Sequence, residues 1–126
     1  MIVAALVWDP ASQARLRYAL SGQATVRFCE RQSEVIALVE NNLAGVAVVD
    51  MRDRDGQSTL PMVRYVRESY PSVPVLLYFA ISPDTSRDVL AFARAGVNDL
   101  VLRDVDDLRY SLRTALSTAA DHCSAR

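Results

Sequence analysis

Gly45-Val46-Ala47-Val48-Val49-Asp50 decides the fold. Val46–Val49 is an unbroken apolar run, rich in β-branched valine, that cannot alternate between core and water. It reads as a strand buried on both faces, the signature of a parallel sheet covered by helices. The run ends sharply in a carboxylate, Asp50, and a polar loop follows at Met51–Ser58. Helix-period segments flank it. Gln32–Asn41 carries Val35, Ile36, Leu38 and Val39 as an apolar stripe closed by Asn41–Asn42, and a helix near Leu60–Ser69 carries Met62, Val63 and Val66.

The same alternation extends outward in both directions. Ile2–Trp8 reads as a first buried strand. Pro10 opens a helix with Leu16, Ala19 and Leu20 at helical spacing, stopped by Ser21–Gly22, and Thr25–Cys29 is a short second strand. Pro71 and Pro74 punctuate the approach to a fourth strand, Val75–Phe79. Pro83–Asp84 opens a helix expected to turn Val89, Leu90, Phe92 and Ala93 inward and to stop at Gly96. Leu100–Leu102 is the fifth strand, and a last helix from about Asp104 aligns Val105, Leu108, Leu112 and Leu116. Five strand–helix units in strict order predict an α/β fold with right-handed crossovers and helices on both faces. A chain of 126 residues is far short of the roughly 250 that a barrel needs. The expectation is a flavodoxin-like parallel sheet in the order 2-1-3-4-5.

Composition excludes several functions. All 14 basic residues are arginines, set against 15 acidic ones for a net charge of −1, which leaves no basic field for gripping nucleic acid. The apolar runs are too short to span a bilayer, and no basic segment precedes an apolar one at the start; a cytoplasmic protein is expected. Cys29 and Cys123 form no CxxC and read as free thiols of a reducing compartment. No GxGxxG or GxxxxGK[ST] is present, and the absence of lysine removes Schiff-base chemistry. The single histidine, His122, lies four residues from the end, a poor place for a catalytic base. Nothing here points to an enzyme.

In an open parallel sheet, ligands bind beyond the carboxyl ends of the strands. Those ends deliver Asp9, Asp50, the segment from Phe79 to Ser82, and Arg103 with Asp104. In the expected order the first and third strands are neighbours, so Asp9 and Asp50 should lie close. Two adjacent carboxylates repel and need a compensating cation or donor. Arg103 is the side chain placed to serve.

These residues resemble the receiver domain of two-component response regulators. The likeness is carried by VWDP (Val7–Pro10), GVAVVD ending in Asp50, PVLLYFA (Pro74–Ala80) and AGVNDLVLRD (Ala95–Asp104). It covers residues 1–119 and leaves 120–126 as a tail or the start of a linker. The resemblance implies that Asp50 stands at the phosphoacceptor position, where the family's carboxylate attacks a phosphohistidine of a histidine kinase. It implies an acidic pocket for Mg²⁺, with Asp9 and Asp50 as the candidate ligands. It further implies a hydroxyl after the fourth strand and a lysine after the fifth, both gripping the phosphoryl oxygens.

The chain departs from that pattern. The acidic pair is reduced to Asp9 at most; with Pro10 aligned to the family's proline, the metal position falls on Trp8. Phe79 takes the hydroxyl position, with Ser82 three residues on. Arg103 takes the lysine position, and Asp104 replaces the proline that follows it. The loop after Asp50 lacks the family's proline. Each residue also has a plainer reading: Asp9 as a helix N-cap, Asp50 as a partner of Arg103, Asp53 and Asp55 as a solvated turn, Phe79 and Tyr78 as packed core. The expectation is an atypical receiver, a regulatory or dimerisation module with phosphorylation lost or weakened. It would pair through its fourth helix, fifth strand and last helix, around Arg103, Asp104, Asp106, Asp107, Arg109 and Arg113. It would control an output domain beyond Arg126, DNA binding being the class by family analogy. Two alternatives stay open: a working receiver phosphorylated on Asp50 with Mg²⁺, and a flavodoxin-like small-ligand binder.

Overall fold

The computed structural model describes residues 1–80, 82, 83, 85–103, 109, 110, 113, 114 and 117. Five strands run in chain order: β1 (Ile2–Leu6), β2 (Thr25–Phe28), β3 (Ala44–Val49), β4 (Val75–Phe79) and β5 (Asp99–Leu102). They form one sheet in the order β2-β1-β3-β4-β5, every pairing parallel. Between them lie α1 (Pro10–Leu20), α2 (Gln32–Glu40), α3 (Leu60–Ser69) and α4 (Ser86–Arg94). This is the expected flavodoxin-like topology.

The period of two along each strand divides the core into two layers. Ala4 and Leu6, Ala47 and Val49, and Val75, Leu77 and Phe79 face a layer built with Val35, Leu38 and Val39 of α2, Met62, Val63 and Val66 of α3, and Phe92 of α4. Val3 and Ala5, Val46 and Val48, Leu76 and Tyr78, and Val101 face the other layer, with Leu16, Ala19 and Leu20 of α1. Both faces of the sheet are therefore apolar, which is why its strands read as continuous runs.

Local chemistry sets the boundaries. Asp9 caps α1 by accepting from the Ser12 amide at 3.0 Å, and Pro10 opens the first turn. Asn42, at φ 56°, ends α2 in the left-handed conformation that asparagine tolerates. Gly96, at φ 98°, makes the turn into β5 beneath the Arg67 side chain, whose Nε donates to the Gly96 carbonyl at 2.9 Å. Arg67 Nη1 also donates to the carbonyls of Pro71 and Val73, so one guanidinium ties α3 to both neighbouring turns.

Some expectations need correction. β1 ends at Leu6, and Trp8 is 48% exposed rather than buried, because the chain turns there into α1. β3 begins two residues earlier than expected, at Ala44, and β5 one earlier, at Asp99. α4 begins at Ser86, and it does not turn Leu90 and Ala93 inward: Leu90 is 53% exposed and Ala93 is exposed. Val89 and Phe92, three apart, occupy the inner stripe, and residues one step further on are rotated about 100° away from it. Arg109, Tyr110, Arg113, Thr114 and Ser117 have helical backbone, as expected of the last helix. Its inward stripe Val105, Leu108, Leu112 and Leu116 lies outside the described residues, as do Asp104, Asp106, Asp107, His122 and Cys123. Among the described residues, no helix is long and apolar enough to cross a membrane.

Candidate functional site

Sheet hydrogen bonds bring the strand ends to one edge. The Asp50 amide donates to the Leu6 carbonyl at 3.0 Å, which sets Asp50 beside the end of β1. The Arg103 amide donates to the Phe79 carbonyl at 2.7 Å, which sets Arg103 beside the end of β4. A fully buried threonine fixes the backbone at Asp50: Thr59 Oγ1 lies 2.6 Å from the Asp50 carbonyl and 3.1 Å from that of Met51. Sequence reasoning missed Thr59. Only a polar residue immediately before Leu60, the start of an apolar helix, hinted at it.

Arg103 is the centre of the site. Its Nη2 donates to Asp50 Oδ2, and its Nη1 lies 3.7 Å from Asp9 Oδ1. Its guanidinium carbon stands 5.1 Å from the centroid of the Tyr78 ring, within cation–π range. Arg15 of α1 donates to the Arg103 carbonyl at 3.2 Å. One cation is thus shared by two carboxylates and backed by an aromatic face. The expected gathering of Asp9, Asp50 and Arg103 is what the strand ends produce.

The two carboxylates differ. Asp50 is the more enclosed, its side chain 13% exposed against 26% for Asp9. Burial pushes Asp50 above the ordinary carboxylate value, and Arg103 with the Met51 amide, 2.7 Å from Oδ1, only partly offsets that. Burial also works to raise Asp9, but hydrogen bonding from Ser12 and the charge of Arg103 outweigh it and hold Asp9 below its ordinary value. Asp9 therefore acts both as the N-cap of α1 and as a secondary partner of Arg103.

Phe79 ends β4 with its ring 6% exposed, in the core layer shared with α2, α3 and α4, and it offers no donor. Ser82 lies in the turn that precedes α4, its amide donating to Thr85 Oγ1 at 2.8 Å, and both residues line the open space beside Asp50 and Arg103. Asp53 stays apart from the site. Its Oδ1 accepts from the Asp55 and Gln57 amides and its Oδ2 from Gln32 of α2, and these bonds, Gln32 foremost, hold it below its ordinary value. It organises its loop rather than merely facing solvent. Cys29 is buried and free, its thiol pushed up to about 11 by burial.

These residues do not fit Mg²⁺ as arranged. A magnesium ion demands near-octahedral oxygen coordination at about 2.0–2.1 Å. Here Asp50 and Asp9 both face a guanidinium, a positive charge standing where a divalent ion would have to approach them. Among the described residues, no group of three or more histidine, cysteine, aspartate or glutamate side chains gathers to hold a metal.

No protein-family model matches the chain, and no curated protein matches it. Solved structures do. The beryllofluoride-activated receiver domain of DrrB superposes with a TM-score of 0.76 at 19% identity, covering 92% of this chain and 97% of that one. A CheY-like response regulator receiver domain protein from Methanospirillum hungatei gives 0.79 at 14% identity, over 96% and 97%. NtrX from Brucella abortus gives 0.79 at 12% identity, over 98% of this chain but 28% of its own. In NtrX this fold is one part of a longer protein. At such identities the likeness establishes the receiver fold.

Proposed function

We propose that this chain is an atypical receiver, a non-enzymatic regulatory module of a signalling or transcription regulator whose phosphoryl chemistry is lost or weakened. The observation that carries this reading is the pairing of Asp50 with Arg103. Each oxygen of Asp50 already accepts a hydrogen bond, Oδ1 from the Met51 amide and Oδ2 from the Arg103 guanidinium, which draws electron density from the carboxylate and makes it a weaker nucleophile toward phosphorus. The product would be an acyl phosphate carrying nearly two negative charges beside Asp9. Against that charge the site offers at the fifth-strand end only the already paired guanidinium of Arg103 and, at Phe79, no donor.

In this reading the module acts by association rather than by modification. Leu90 and Ala93, exposed on α4, lie on the side where we propose a homodimer forms, through α4, β5 and the last helix. A two-fold contact places the same patch against itself, so residues of mixed charge can pair reciprocally. Arg113 would supply a cation to it, whereas Arg109 lies over the Tyr18 ring of α1, 4.2 Å from its centroid. An output domain, DNA-binding by family analogy, would receive the signal, and NtrX offers a precedent for this fold as a fraction of a longer chain. A reduced compartment, the cytoplasm, suits the free thiol of Cys29.

The test is incubation with acetyl phosphate, and separately with beryllofluoride, in the presence of Mg²⁺. Intact mass and the amide spectrum around Asp50 are then read. We expect no stoichiometric adduct and no saturable shift. A stoichiometric phosphoryl adduct on Asp50 would overturn this reading in favour of a working receiver phosphorylated by a histidine kinase. A solution mass that stays monomeric at high concentration would remove the dimer.

A further inference from the structure

Beside the Asp50–Arg103 pair the strand ends leave an open cleft of about 280 Å³, whose lining includes Trp8, Arg52, Phe79, Ser82, Thr85 and Asp88 besides that pair. We propose that this cleft binds a small organic cation, an amine with an apolar body. The proposal rests on Arg103 remaining paired, as argued above, because its guanidinium then forms part of the floor and is not available to an anion.

Aromatic surface is the first argument. Trp8 is the only tryptophan of the chain, and it is 48% exposed at the ligand-binding edge of the sheet, where burial on the first strand was expected. Phe79, in place of a hydroxyl, closes the lining as an apolar wall, itself only 6% exposed. Tryptophan is the best cation–π acceptor among side chains, and aromatic walls are the usual recognition device for ammonium groups.

Charge is the second argument. The lining carries two arginines, and both are engaged: Arg103 by Asp50 and Asp9, Arg52 by the Gly56 carbonyl at 2.9 Å. Asp88, on the first turn of α4, has no hydrogen-bond or ion-pair partner among the described residues. The lining itself is balanced, Asp50 and Asp88 against Arg103 and Arg52, and with Arg103 spent on Asp50 it is Asp88 that no cation meets among the described residues. An ammonium can pair with Asp88 while laying its charge against the Trp8 ring. The volume lies just below the usual range of about 300–1,000 Å³ for small-molecule sites, so the occupant is small.

The cleft supplies its own reporter. Trp8 emission is followed while the metal-free protein is titrated with phenethylamine, and in parallel with 3-phenylpropionate, which keeps the ring but inverts the charge. We expect a saturable change with the amine and a much weaker one with the acid. Asp88→Asn should weaken the amine by up to about fivefold, the range of an exposed ion pair. A linear response to the amine, equal curves for amine and acid, or an Asp88→Asn curve that does not move would each overturn the proposal. No Mg²⁺ or phosphodonor is present, so failure here is distinct from a phosphoryl adduct on Asp50, which alone would overturn the regulatory reading.

Discussion

Replacing Arg103 with methionine keeps much of the side chain's bulk and removes its charge. Asp50 and Asp9 would then face each other without a cation. Removing one partner of a fully buried ion pair costs about 3–5 kcal/mol. This site is not dry, since the side chains of Arg103, Asp50 and Asp9 keep 21%, 13% and 26% exposure. We therefore expect the electrostatic part at about 2 kcal/mol, below the fully buried range. Loss of the Tyr78 stack adds about 0.5–1 kcal/mol. The deficit depends on pH. In the variant Asp50, already raised by burial, loses the charge that offsets it and holds its proton more tightly than in the unfolded chain. The variant therefore keeps its stability below the ordinary carboxylate value and loses it as pH rises through the folded value of Asp50. In the parent Asp9 behaves the opposite way: held below its ordinary value, it stabilises above that value and loses its contribution as pH falls through the lower one. The gap between parent and variant should thus be about 1 kcal/mol in acid, where the lost stacking remains, and about 3 kcal/mol at neutral pH. Urea unfolding across that range measures it. Mg²⁺ supplies an independent check, because it should stabilise the variant by about 1 kcal/mol at about five times its dissociation constant and leave the parent unmoved. A gap that does not change with pH, or is absent at neutrality, would refute the idea that Arg103 serves these two carboxylates as their cation.

Asp9→Ala should cost about 1 kcal/mol through loss of the α1 cap, the cost shrinking as pH falls through the depressed value of Asp9; urea midpoints at acid and neutral pH check it. Arg67→Met leaves the carbonyls of Gly96, Pro71 and Val73 without their donor and should cost about 2 kcal/mol by denaturant unfolding. Phe92→Ala should cost about 3–5 kcal/mol, while Leu90→Ser, on the exposed side of the same helix, should stay within about 0.5 kcal/mol. Cys29, buried and with its thiol raised to about 11, should resist alkylation at neutral pH and react fully in denaturant, as read by peptide mapping.

Most of the architecture was legible because the sheet is parallel. A strand buried on both faces writes itself as an uninterrupted apolar run, so Val46–Val49 and Val75–Phe79 could be placed nearly to the residue, and each was bounded by helix-period segments. Where one face meets water, the pattern was weaker. Leu90 and Phe92 are equally apolar, and only the rotation of α4 against the sheet separates the residue that packs from the one that does not. Trp8 was misplaced for a related reason: hydropathy extends the first run to it, but the Asp9 cap turns the chain after Val7. At the site, Asp9, Asp50 and Arg103 could be brought together from topology alone, since the strand order makes their ends neighbours. Thr59 could not. Its function is to bond two backbone carbonyls, and no side-chain pattern announces a backbone acceptor.

The substitutions at the strand ends make physical sense as a set. An ammonium is a point charge that can approach one carboxylate closely; a guanidinium is a planar fork that can address two and lay its flat face against a ring. Arg103 uses all three capacities at once, toward Asp50, Asp9 and Tyr78. Such a cation is held from several sides, and drawing it away to meet an incoming anion would strand two partly buried carboxylates. With the cation committed in this way, a hydroxyl after β4 would gain little from a nearby anion, and a phenyl ring there gains burial instead. Phe79 and Arg103 then reinforce each other: the ring offers no donor at the end of β4, and the guanidinium beside it is already held by two carboxylates. What is left at the sheet edge is a charge-balanced cleft with one half-exposed tryptophan and one carboxylate, Asp88, unpaired among the described residues, the two groups on which the proposed amine would rest.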